Sequence, residues 1–301
     1  MSQSAPQQAH DYRKGVTLFL LFMVCDSAVA VLTRMNMLHM SLGCYNFWRS
    51  AAAMAYILII MSSRGQLRDL VPPNPRGLIV NALLGGISTG LFTYVYSQLP
   101  TADVFAIINL SPFFVALLSI VLLGDRIARP HYAAIVVGFL GAMVIVQPGS
   151  SLFSADGLAA IFTTFLYALT IVLSSWLAGG HSTNTIVAYN MGVMVVATAP
   201  FALDITPEFG VQDMWLMALT CGLYVVYRIA IVASLRYAPS AYLAPLEYFS
   251  IVLVAIMAYM LYGEVPTYTL WTGAVIIIAA GLYIMRTPQH VIHKATPGLL
   301  K

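Results

Sequence analysis

Apolar residues fill this chain in ten successive blocks, near positions 15–35, 43–62, 77–97, 101–123, 131–148, 156–178, 184–203, 213–236, 239–262 and 268–286. A helix needs about 20 mostly apolar residues to cross the ~30 Å hydrocarbon core of a bilayer, and one block after another meets that length. The pattern predicts an all-α membrane protein with ten transmembrane helices. Several links are very short, such as QLP before Thr101 and YAPS before Ala241. Links this short predict that the third and fourth helices, and the eighth and ninth, form antiparallel hairpins.

Composition supports lipid as the solvent. The 301 residues are 60% hydrophobic and 8% charged, where a soluble domain carries about 25% charged residues. Cytoplasmic loops hold an excess of Lys and Arg. With the N-terminus inside, Arg13, Lys14, Arg64, Arg68, Arg76, Arg126, Arg129, Arg236, Arg286, Lys294 and Lys301 all fall on the cytoplasmic side, 11 of the 14 basic residues. Asp156, Asp204, Glu208, Asp213 and Glu264 fall on the other. Both termini are therefore expected in the cytoplasm. The net charge of +3 reflects this bias and calls for no nucleic-acid partner. The first apolar run is too long for a signal peptide and lacks a clear cleavage site, so it is read as the first helix. Cys25, Cys44 and Cys221 are odd in number and widely spaced, which points to no disulfide or metal framework.

Two stretches resemble each other. PTADVFAIINLSPFFVALLSIVLLGD, from Pro100, aligns without a gap on PSAYLAPLEYFSIVLVAIMAYMLYGE, from Pro239. The alignment pairs Ala102 with Ala241, Ser111 with Ser250, Gly124 with Gly263 and Asp125 with Glu264. The fourth helix is thereby placed on the ninth, which divides the chain into two halves of five. Five is odd, so the second half enters the membrane from the opposite side. An inverted-topology repeat of this kind is common in secondary transporters, whose sites lie near the midplane between the halves. A duplication that merely builds a stable bundle is the plainer reading. The expected organisation is a cytoplasmic tail over 1–14, five-helix repeats over 15–148 and 156–286, and a second cytoplasmic tail over 287–301.

The stretches LPTADVFAIINLSPFFVALLSIVLLGDRI with GFLGAMVIVQPG, and APLEYFSIVLVAIMAYMLYGEVP with GAVIIIAAGLYI, resemble the drug/metabolite transporter superfamily, EamA type. Arg49, early in the second helix, is similar to an arginine often seen there. The resemblance covers residues 15–286 and implies a ten-helix inverted repeat that carries small organic solutes. PLEY…YGEVP resembles members associated with S-adenosylmethionine or riboflavin, and other branches export amino acids. Many members have Pro where this chain has Ile251, whereas Pro112 is kept in the first half.

Ionisable groups inside a membrane are costly, so they usually face the bundle interior and pair. Asp26, Arg49, Arg228 and Glu247 stand inside predicted spans. Arg228 lies eight residues before Arg236, and Glu247 eight residues after Pro239. Both therefore sit roughly 12 Å inside one boundary at 1.5 Å per residue. An Arg228–Glu247 ion pair is expected, either purely structural or able to open onto solute or a proton. Asp26 and Arg49 differ in depth by roughly 6 Å on the same rise, within reach of a long arginine. Asp26 is also the prime proton-coupling candidate, and Arg49 is alternatively a brace for the second helix.

Asn81, Asn109 and Asn190 lie in spans three, four and seven. Tyr94, Tyr224, Tyr227 and Tyr248 suit a cavity of mixed character for an aromatic or heterocyclic solute. Interhelical hydrogen bonding is the alternative for each. Trp48, Trp176 and Trp215 read as interface anchors, and Gly85, Gly86, Gly90, Gly138 and Gly141 as sites of close helix packing.

No Walker A loop, HExxH, CxxC or GxSxG occurs. The function expected is a secondary carrier, working by alternating access across the inner membrane and driven by protons or by exchange. Its solute is a small organic metabolite of nucleoside-like, flavin-like or amino-acid-like character. A flippase for a lipid or lipid-linked sugar is the alternative, and a membrane-embedded enzyme a weaker one. Expected partners are the solute and membrane lipid, without a cofactor, in a monomer or homodimer.

Overall fold

The computed structural model describes residues 12–99, 107–125, 129–146, 154–204, 206, 208–263, 265 and 268–286. These residues form helices and no strand: α1 (Tyr12–Asn36), α2 (Leu42–Ser63), α3 (Arg76–Gln98), α4 (Ser111–Leu123), α5 (Arg129–Val146), α6 (Ala155–Leu177), α7 (Thr183–Thr198), α8 (Val211–Tyr237), α9 (Ser240–Tyr262) and α10 (Tyr268–Arg286). Serine starts three of them. Ser41, Ser154 and Ser182 accept from the backbone N–H of Cys44, Gly157 and Thr185. They satisfy donors that a helix start leaves free.

Two helices are irregular. The last turn of α4, Ser119–Leu123, widens into a π-turn. In α9, Ala244–Tyr248 is wound as a 3₁₀ turn around Pro245. Each then ends on a glycine in the left-handed region, Gly124 at φ 69° and Gly263 at φ 67°. These two glycines are partners in the ungapped alignment of the halves.

Tyr12–Thr33, Ala155–Leu177, Thr183–Phe201, Val211–Tyr237 and Ser240–Tyr262 are each long and apolar enough to cross a membrane, and Arg76–Phe92, Ser111–Leu123, Tyr132–Gly141 and Trp271–Ala280 are shorter apolar helices. Large apolar side chains such as Ile59, Val196, Met260 and Val275 point outward, as lipid-facing residues do.

Helix α1 packs on α8 and α9, α2 on α7 and α8, and α3 on α6 and α7. Helix α4 packs on α6 and on the first turns of α9, and α5 on α10. The start of α1 meets the end of α8, because a Cβ on Gly15 would stand 2.8 Å from that of Ala238. The link after α2 meets the start of α7 through Asn184 and Gln66. The end of α4 meets the start of α9 through Ser119 and Ser240. These ends share one face of the bundle, called here the N-face. The opposite face joins His39 to Asp213, Tyr94 to Asp156 and Tyr262 to the Val31 carbonyl.

The expected hairpins are corrected for α8 and α9. Ala238 and Pro239 are both extended and carry the chain sideways, so α9 packs on α1 and α10 instead of α8. The link from α3 to α4 includes residues 100–106, outside the described residues, as is the start of the fourth predicted helix. Of the glycines, Gly86, Gly138 and Gly141 are pressed against Val193, Tyr248 and Ile277, while Gly90 faces open space.

Candidate functional site

Helices α3, α6, α7 and α8, with Arg49 of α2, line a cavity that is partly open to solvent. Helical spacing explains the lining. Ala82, Gly85 and Thr89 share one face of α3, and Tyr167, Thr170 and Ser174 one face of α6, because residues three and four apart stack along a helix. Helix α8 presents Tyr224, Tyr227 and Arg228, then Ile231 and Leu235. The cavity has its arginines and tyrosines at mid-bundle and is lined toward the N-face by Leu235, Ala82 and Ser174.

Tyr224 stands at the midpoint of α8, and Tyr167 lies close to the midpoint of α6. Arg49 reaches this middle layer from α2. Its guanidinium lies 4.1 Å from the ring centre of Tyr224 and 5.1 Å from that of Tyr45, a cation–π arrangement. One of its terminal nitrogens donates to Asn46 Oδ1 at 2.7 Å. Arg228 is flanked by Tyr224, Tyr227 and Tyr167. The Nε of each arginine is buried without a hydrogen-bond partner among the described residues. Tyr224 and Tyr227 meet edge to face at 5.0 Å. Behind the wall, Asn81 Nδ2 donates to Ser174 Oγ and Asn190 Oδ1, at 3.1 and 3.3 Å.

Several sequence expectations are corrected here. Arg228 and Glu247 form no ion pair, nor do Asp26 and Arg49; between described residues the one such contact is His39–Asp213. The depth estimate for Arg228 and Glu247 assumed a regular ninth helix beside the eighth. Instead the helices part, and the 3₁₀ turn swings Glu247 toward the hydroxyl of Ser111 on α4 and toward Asp26. Asp26 stands within electrostatic reach of both arginines but is not in the cavity wall.

Tyr94 is half-exposed and donates to Asp156 at the opposite face, too far along α3 to line the cavity. Asn109 sits in the turn before α4. Tyr248 is fully buried against Gly138, Ile251 and Ile277, where it packs α9 on α5 and α10. Five of the predicted residues, Arg49, Asn190, Tyr224, Tyr227 and Arg228, do line the cavity. Sequence reasoning missed Tyr167, Thr170 and Ser174. Their spacing of three and four was the available signal, but hydroxyls are common in apolar spans.

The model of the EamA-like transporter family matches residues 13–147 and again 157–286. The chain belongs to this family. It is similar to the pseudopaline exporter CntI of Pseudomonas aeruginosa, 27% identical over 81% of this chain and 86% of that one. A riboflavin transporter of Rhizobium johnstonii is 25% identical over 80% of each chain. An S-adenosylmethionine uptake transporter of Rickettsia prowazekii is 23% identical over 91% of this chain and 93% of the other. A solved crystal structure shares the fold with a TM-score of 0.75 at 18% identity, covering 90% of this chain and 95% of that one. As an EamA-family member with apolar helices throughout, the protein is an integral membrane protein and a small-molecule transporter, not an enzyme.

Proposed function

We propose that the protein is a secondary carrier for a small organic metabolite, built from two inverted five-helix repeats over 15–148 and 156–286. All ten helices cross the inner membrane of a bacterial cell, with both termini in the cytoplasm. The observation that carries this reading is the packing scheme. Exchange α1 with α6, α2 with α7, α3 with α8, α4 with α9 and α5 with α10. The pair α1–α8 becomes α3–α6, α2–α8 becomes α3–α7, α1–α9 becomes α4–α6, and α2–α7, α4–α9 and α5–α10 return themselves. A bundle with two-fold pseudosymmetry in its contacts can present its central cavity to either side, which is what alternating access needs. Basic residues support the orientation: Lys14, Arg64, Arg68, Arg76 and Arg236 cluster at N-face ends of helices, as the positive-inside rule requires.

The solute occupies the cavity between α3 and α8, touching Arg49, Asn190, Tyr224, Tyr227 and Arg228. Asp26 and Glu247 are the acids of the central layer and serve as proton carriers, or else the carrier runs by exchange.

Counterflow in proteoliposomes tests the reading. Trapped unlabelled riboflavin, S-adenosylmethionine or amino acids should drive uptake of the same labelled compound, and Asp26→Asn or Glu247→Gln should remove dependence on a proton gradient while leaving exchange intact. Orientation is read by placing single cysteines at Arg68 and Glu208 in a chain lacking Cys25, Cys44 and Cys221. An impermeant thiol reagent applied outside should label only position 208.

A further inference from the structure

The two arginines of the central layer have more donors than the described residues supply with acceptors. A guanidinium carries five N–H donors in a planar fork. Arg49 Nη2 reaches Asn46 Oδ1, its face is covered by Tyr224, and its buried Nε has no partner among the described residues. Arg228 likewise lines the cavity with a buried Nε that no described residue meets. Among the described residues, no carboxylate is in ion-pair contact with either one. Asp26 and Glu247 share the layer but stand outside the cavity wall. An arginine inside a membrane is normally paired, and its fork matches carboxylate or phosphate oxygens two at a time.

We infer that the cavity takes its solute by an anionic group, a carboxylate or phosphate, seated between Arg49 and Arg228, with the rest of the solute lying along Tyr167 and Tyr227. This deepens the carrier reading and rests on it. Each part of the lining has a role. The guanidiniums hold the charge, the tyrosine rings cover a planar or apolar body, and Asn190 adds a polar side chain to the wall. Asn46 and Tyr45 take some donors of Arg49, and Tyr227 some of Arg228; a neutral solute would leave the rest unmet, at the cost that attends buried donors without acceptors.

The same anionic chemistry is found on a water-soluble metabolite and on a lipid headgroup, and the test separates them. The melting temperature of the purified full chain in neutral detergent is measured with phthalate, phthalamide and inorganic phosphate, all at ionic strength matched with chloride. Dioctanoyl phosphatidylglycerol is compared with dioctanoyl phosphatidylcholine in the same way. Phthalate and phosphate should raise the melting temperature, and phthalamide should not. The rise should vanish in Arg228→Gln and in Arg49→Gln. Arg228→Lys, which keeps the charge without the fork, should retain part of it and shows that the loss is not one of folding.

A rise with phosphatidylglycerol alone assigns the anion to a lipid headgroup; a rise with the soluble anions assigns it to a metabolite. The inference is overturned if no anion stabilises the protein beyond chloride, if phthalamide works as well as phthalate, or if the rise survives both glutamine variants. Counterflow of a neutral solute, undisturbed by Arg228→Gln, would reject the anion and keep the carrier. Anion binding without counterflow of any solute would do the reverse.

Discussion

The ends of α4 and α9 carry one motif in two settings. Leu-Leu-Gly-Asp closes α4 at 122–125 and Leu-Tyr-Gly-Glu closes α9 at 261–264. Both helices stop on a left-handed glycine with nearly the same angles. The likeness ends with the backbone. On the N-face, Asp125 is 1% exposed and accepts from Ser119, which accepts from Ser240 at the start of α9, 2.9 Å away. Tyr12 and Tyr242 meet edge to face near this chain of bonds. At the opposite face, Met260 and Val265 are 76% and 79% exposed. The position that aligns with Ser119 is Ala258, which has no hydroxyl to relay. A glycine and an apolar run suffice to end the helix. On the N-face a serine in the last turn also ties that end to the other half of the molecule, whereas α9 reaches the other half through Tyr262, which donates to the Val31 carbonyl. The N-face end of the α4–α9 contact is therefore held shut by polar bonds, whereas the last turn of α9 lacks the serine that would relay one.

The largest test of this difference removes the carboxylate. Asp125→Ala should lower stability by about 1.5–3 kcal/mol, the usual worth of a hydrogen bond to a charged group, read as a fall in melting temperature in detergent. It should also make a cysteine at position 240 reachable by a thiol reagent from the N-face. An unchanged melting temperature would mean that the buried chain from Ser240 to Asp125 holds nothing together.

The shared part of the motif should respond alike at both ends. Gly124→Ala and Gly263→Ala each force a Cβ into the left-handed region, which costs roughly 1–2 kcal/mol. A Cβ on Gly263 would meet no atom within 4 Å, so the loss there is conformational strain alone. Losses that differ by more than about 1 kcal/mol, the full width of the range for such a strain term, would show that the two caps are not equivalent.

Single hydroxyls come next. Ser240→Ala should cost about 1 kcal/mol, as an ordinary internal hydrogen bond does. Tyr262→Phe, which removes the bond to the Val31 carbonyl at 2.8 Å, should cost about as much. Thermal melts of the two variants side by side check this, and a loss for Ser240→Ala alone would mean that only the N-face end is held by a bond of this kind.

The helices were legible because a membrane span is written as a block along the chain. The block 213–236 became Val211–Tyr237, and 43–62 became Leu42–Ser63. Azimuth was not legible. Whether Glu247 faces Arg228 depends on how α9 is wound before Phe249, and a 3₁₀ turn over Ala244–Tyr248 rotates it away. The same limit explains Tyr248, which has the chemistry of a cavity residue but points between α5 and α10. Tyr167 failed in the opposite sense: an aromatic in an apolar run looks like core until its neighbours Thr170 and Ser174 are seen on one face.

The smallest expected effect bears most directly on why the two ends differ. Ala258→Ser restores at α9 the residue type that α4 has at 119. A serine inside a helix usually bonds back to the carbonyl four residues earlier, here that of Val254, and so gains little. Position 258 is only partly buried, and the helix end beyond it is exposed, so few protein groups surround a new hydroxyl there. The change in stability should stay within about 0.5 kcal/mol, as for surface substitutions generally. A gain of more than about 1 kcal/mol, the worth of a new internal hydrogen bond, would mean that the opposite face can close around α9 as the N-face does around α4. The lock would then be a property of both repeats, and its absence at α9 would mark one conformation of the carrier rather than a difference built into the sequence.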